Sequence, residues 1–175
     1  MPLNVNLFIT PLIVLLLVLW CYFYFRKRAK DIGIYHRYLA LTGALAFFLN
    51  WEWELAQGFL YQGFEYDLEH ILVCGLASVA DMLMVYLLLF GFGLIYRDFF
   101  WIRNLSELRI FWLMLTGSIG AILSEWRHTW YGNWSYADTM PVFPVVEAGL
   151  SPVLQFTLLP VIIFGMVPKI FNNLI

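Results

Sequence analysis

Five long apolar runs separated by short polar islands organise the chain, at about residues 7–25, 38–61, 70–96, 108–126 and 148–170. A helix needs about 20 apolar residues to cross the hydrocarbon of a bilayer, and each run comes near or exceeds that length. Barrel strands would instead alternate over about ten residues, and lipid offers an exposed backbone no hydrogen-bond partner. The pattern therefore predicts an all-α, polytopic membrane helical bundle of about five transmembrane helices. No Lys or Arg precedes the first run and "RKRAK" follows it, the reverse of a signal peptide's charge order, so this run is expected to stay in the membrane.

Polar residues inside the runs fall at regular spacings. Positions three, four, seven and eleven apart share one side of a helix. In the second run, Asn50, Glu54, Gln57 and Tyr61 follow that spacing, whereas Glu52 lies about 160° from Glu54 at about 100° per residue. His70, Cys74, Ala77 and Asp81 repeat the pattern with Ser78 beside them. Ser118, Ala121, Glu125 and His128 repeat it again, and Ser151 and Gln155 are four apart. At 1.5 Å per residue, Glu54 lies roughly 10 Å from the Tyr61 end of its run and Asp81 roughly 16 Å from the His70 end. The stripes thus gather in one half of the bilayer, which predicts an outward-facing intramembrane polar pocket.

Composition agrees with the membrane reading. The 175 residues are 62% hydrophobic, 19% aromatic and 13% charged, with a mean hydropathy of +0.77, whereas about a quarter of a soluble domain is charged. A net charge of -2 gives no reason to expect nucleic-acid binding. Cys21 and Cys74 lie inside apolar runs, which argues against a disulfide framework. No linker, low-complexity tract or repeat divides the chain, so a single integral membrane domain over residues 1–175 is expected.

Charge placement predicts an orientation. Arg26, Lys27, Arg28, Lys30 and Arg37 follow the first run and Arg97, Arg103 and Arg109 follow the third, so both loops should be cytoplasmic. The intervening loop is acidic, with Glu65, Asp67 and Glu69. The N-terminus is then outside and the C-terminus, with Lys169, inside, in the plasma membrane or, in a bacterium, the inner membrane. The outer loop at residues 127–147 is rich in aromatic residues, Gly and Pro, which favours a folded cap or re-entrant segment over a flexible linker. Pro141 and Pro144 interrupt any helix there, Pro152 suits a first helical turn, and Pro160 should kink the fifth helix. "NWS" at Asn133 is a glycosylation sequon on the predicted outer side, meaningful only in a eukaryotic secretory pathway.

Ionisable groups in lipid cost about 2.5 to 3.5 kcal/mol at a helix centre on insertion scales, so they usually face a bundle interior and find partners. Glu54, Asp81 and Glu125 are expected to face His70, His128 and Arg127. Glu54, Asp81, His70 and Glu125 are the candidate catalytic groups, because partly desolvated carboxyls beside a histidine suit acid–base chemistry near neutral pH. Asn50, Gln57, Tyr61, His128, Tyr136 and Gln155 would contact substrate. His70, Asp81 and Glu54 would also suit a divalent metal such as Zn, Fe or Mn, with a spacing assembled across helices and of low specificity. HExxH, glycine-rich phosphate-loop and GxSxG motifs are absent from the sequence.

Three functions fit this set. One is an enzyme acting on a lipid or isoprenoid-like substrate. Another is a noncatalytic subunit or assembly factor that grips a membrane-protein partner through the outer loop. The third is a small proton-coupled carrier, weakened by the apolar inner half. The competing account of the same residues is a network that only holds the helices together.

Overall fold

The computed structural model describes residues 6–173. They form five long helices: α1 (Asn6–Arg26), α2 (Ile32–Gln57), α3 (Leu68–Tyr96), α4 (Glu107–Trp130) and α5 (Leu150–Asn173). All five are long and apolar enough to cross a membrane. Among the described residues there is no β-strand, only the isolated bridges Tyr61–Tyr136 and Val142–Gly149. Leu12, Leu16 and Trp20 of α1 and Phe111, Ile119 and Leu123 of α4 are exposed, a surface that suits lipid and not water.

Three helix boundaries differ from the apolar runs by four residues or more. α2 ends at Gln57, and a 3-10 turn over Gly58–Leu60 leaves the extended Tyr61 beyond the helix whose stripe it was expected to continue. α2 begins at Ile32, well before residue 38, because Asp31 caps it: the extended Asp31 accepts the Ile34 N–H at 2.9 Å. α4 continues past 126 to Trp130, since nothing in "WRHTW" breaks a helix and the left-handed residue that follows is Gly132, at φ 65°. Glu125, Arg127 and His128 therefore sit on a helix, and the loop contracts to residues 131–149.

α2 lies centrally, packed on α3 and α5; α1 covers α3, and α4 packs on α5. One end of the bundle holds the α1–α2 and α3–α4 connections and most of the basic residues. Its core is aromatic, with Phe25, Tyr35, Phe90, Phe99, Trp101 and Phe164 buried. The Trp101 indole N–H donates to the Leu89 carbonyl at 2.9 Å, which removes the one polar atom of that ring from lipid. The opposite end is closed by the 131–149 loop. There Gln62 N–H donates to the Ser135 carbonyl at 3.0 Å, and Ala137 N–H donates to the Leu60 carbonyl at 2.9 Å.

α4 and α5 approach closely at Gly117. A Cβ built there would lie 2.1 Å from the Phe156 carbonyl oxygen, which is backbone and cannot rotate away. Small residues permit such approaches between membrane helices, and next to this one Ser118 and Thr157 hydroxyls are hydrogen-bonded at 2.6 Å. Gly117→Ala should separate the helices and destabilise the protein by about 1–3 kcal/mol, the usual range for overpacking. Gly120→Ala, with open space around its Cβ, should leave the unfolding temperature in detergent unchanged. Equal effects of the two substitutions would contradict this packing.

Candidate functional site

Near the capped end, α2, α3 and α5 meet around one buried amide. Gln155 of α5, 1% exposed, donates through Nε2 to Asn50 Oδ1 at 2.9 Å and to Asp81 Oδ2 at 3.2 Å. Its Oε1 accepts from Gln57 Nε2 at 3.1 Å, and the same Gln57 nitrogen donates to Glu54 Oε1 at 2.8 Å. An amide carries two N–H donors and an acceptor oxygen, so it can join three helices at a single point. The Asn50 Nδ2 turns back to the Ala46 carbonyl at 2.7 Å, and Ser78 Oγ does the same to Cys74 at 2.7 Å. Neither group is therefore left unsatisfied in lipid.

Glu54 of α2 is bonded to Gln57 and Asp81 of α3 to Gln155, so the Gln57–Gln155 bond links the two acids through one chain of amides. Asn50, Gln57, Ser78 and Gln155 are buried, whereas Glu54 and Asp81 each keep some accessible surface. Gln57 Oε1 is buried without a hydrogen-bond partner. Mutually bonded amides link α2, α3 and α5 where the sequence predicts a polar pocket. Two surface grooves lie elsewhere, one of about 410 Å³ at the basic end and one of about 290 Å³ lined by α1, α2 and α3.

Beside this centre, the cap supplies a second carboxyl environment. Glu125 of α4 is buried and accepts hydrogen bonds from the Tyr136 hydroxyl and, at 3.4 Å, from the Trp134 indole N–H. Tyr136 in turn accepts the Gly149 N–H at 3.0 Å. Burial first, and then the Glu125 charge, push the Tyr136 hydroxyl well above the ordinary phenol range, so it stays a donor. Tyr61 packs against both rings, 5.9 Å from Tyr136 and 6.3 Å from Trp134 between centroids.

The cations expected beside these acids have other partners. His70 Nδ1 contacts Asp67 Oδ1 at 2.8 Å, and the same oxygen accepts the His70 backbone N–H at 2.8 Å. The His70 amide, and after it the ring, hold the Asp67 carboxyl below its usual range. His128 contacts the Asn133 amide at 2.8 Å and stacks on Trp134 at 4.3 Å. Arg127 reaches Thr10 of α1. His70 with Asp67 is the one salt bridge among the described residues. His70 begins α3 and Asp81 lies three turns further along, so His70, Asp81 and Glu54 do not converge. No three His, Cys, Asp or Glu side chains are grouped to hold a metal among the described residues.

Glu52 is exposed on another face of α2, as its spacing predicts. Asn133 departs from its sequon reading: its side chain is buried against His128, where a glycan has no room. Periodicity did not reveal Trp134, which lies in the loop beyond α4, nor the bond from Trp53 Nε1 to Ser151 Oγ at 3.2 Å, whose partners are 98 residues apart and leave no local signal.

Five helices long and apolar enough to cross a bilayer are compatible with a multi-pass integral membrane protein. Comparison with known proteins adds no narrower assignment, since no protein family, curated protein or solved structure matches the chain.

Proposed function

We propose that this is a membrane-embedded enzyme performing acid–base chemistry on a lipid or isoprenoid-like substrate at the Glu54–Asp81 pair. One observation carries the reading: the amides that bond the two acids are buried, while Glu54 and Asp81 are each only partly buried. With one proton held between the two carboxyls, one member acts as acid and the other as base. A reaction that adds a proton to one carbon and removes one from another, as in moving a double bond, returns the pair to its starting state. Glu125, set by Tyr136 and Trp134, is the next acid–base group. The unpartnered Gln57 Oε1 is suited to accept a substrate hydroxyl.

The orientation that fits this reading has the capped end outside and both basic connections in the cytoplasm. A membrane-impermeant maleimide should label intact cells carrying Val145→Cys but not Arg28→Cys; the reverse labelling would invert the orientation.

A noncatalytic subunit that docks a membrane partner through the cap is the second reading, favoured by the exposure of Trp130 at 87% and Val145 at 92%. The proton-coupled carrier has less support, because the core from Asp81 toward the basic end is built from Val85, Leu89, Ile163 and Phe164. For the enzyme, Glu54→Gln and Asp81→Asn should accumulate and unfold like the wild type. Lipid profiles of expressing cells should show a species that changes with the wild type and not with either variant. Unchanged profiles, or loss of both proteins from the membrane, would reject catalysis in favour of a structural or docking role.

A further inference from the structure

At the basic end, α5 presents Gly165, Pro168, Lys169 and Asn172 on one face at spacings of three, four and seven, and Arg103 and Leu105 face them from the α3–α4 connection. Together they line the groove of about 410 Å³. Gly165 lacks a side chain to fill the notch.

Arg103 is held in place there. Its Nε–H donates to the hydroxyl of Tyr38, itself only 1% exposed, at 2.9 Å. Its guanidinium carbon lies 4.4 Å from the Phe100 ring centroid and 5.0 Å from that of Tyr38. Its two terminal NH₂ groups make no hydrogen bond among the described residues, and no described carboxylate pairs with Arg103 or Lys169. Two other cations at this end are engaged: Arg109 donates to the Trp101 and Asn104 carbonyls at 2.9 Å each, and Arg28 lies over Tyr24 and donates to its carbonyl at 3.1 Å.

We propose that this groove binds the phosphate group of an anionic phospholipid headgroup. A planar guanidinium fixed by stacking matches phosphate through two parallel N–H donors, Lys169 adds a point charge, and the Asn172 amide can donate as well. Two cations facing one groove, with no carboxylate partner among the described residues, are stabilised by an anion between them. The lipid is favoured over soluble phosphate because Leu105 forms an apolar wall and α5 exposes Ile162 and Met166 next to the groove, where acyl chains would run. This inference does not depend on the chemistry at Glu54 and Asp81.

The test uses the full chain reconstituted in phosphatidylcholine vesicles with spin-labelled phosphatidylglycerol or spin-labelled phosphatidylcholine as probe. Phosphatidylglycerol should associate more strongly, and Lys169→Gln and Arg103→Gln should each weaken that preference about fivefold, the effect of one basic residue near an anionic membrane surface. Arg28→Gln, at the same end but outside the groove, should leave the preference intact. Lys169 is exposed and bonds to nothing described, so its variant remains informative if Arg103→Gln fails to fold. Equal association of the two lipids, or an equal loss in Arg28→Gln, would overturn the site. Displacement of the labelled lipid by millimolar sodium phosphate would overturn the lipid as its occupant.

Discussion

Lipid gives a polar side chain no solvent to bond with, so every amide and carboxyl within the bundle has to find its partner on the protein. The hydrogen-bonded centre on Gln155 is the consequence. Gln155 joins α5 to α2 through Asn50 and Gln57 and to α3 through Asp81, so the three helices meet in one register. Interhelical hydrogen bonds in membranes average about 0.6 kcal/mol, so these three contribute about 2 kcal/mol in all. That is too little to hold a bundle by itself. Cohesion comes from packing such as the backbone approach at Gly117 and the aromatic core around Trp101, and the polar centre chiefly selects which arrangement of helices is allowed.

The same constraint separates scaffold from working groups. Asn50, Gln57 and Gln155 are buried and spend their donors on one another or on nearby acceptors, which ties the carboxyls of Glu54 and Asp81 into one chain of amides. Two acids without a cation are a costly arrangement for structure alone, since neutral residues would join the helices at lower desolvation cost. Over this centre the cap adds Glu125 under Tyr136 and Trp134, closed by the Gly149 N–H. The acid-bearing end of the bundle is thus ordered from both the helices and the loop.

Helical periodicity made most of this centre legible, because Asn50, Glu54, Gln57, Asp81 and Gln155 are joined in one hydrogen-bonded chain and lie at spacings that can be read along the sequence. It failed for His70, His128 and Arg127. Each lies near a helix end, where short-range partners compete: Asp67 caps α3 three residues before His70, and Asn133 folds back five residues after His128. The span limits were missed for related reasons, since Asp31 and Gly132 act through capping and backbone conformation and not through hydropathy. The groove of Arg103 and Lys169 had no sequence signal, because it forms only where a connection and a distant helix end are brought together.

Infrared spectroscopy of the protonated carboxyl C=O stretch tests the central claim most directly, that Glu54 and Asp81 form one pair sharing a proton. The wild-type protein in a membrane at neutral pH should show the band, shifted in deuterated water. Its intensity should fall in Asp81→Asn and equally in Glu54→Gln, because removing either member dissolves the pair. A band unchanged by both substitutions, or altered by only one of them, would contradict the account.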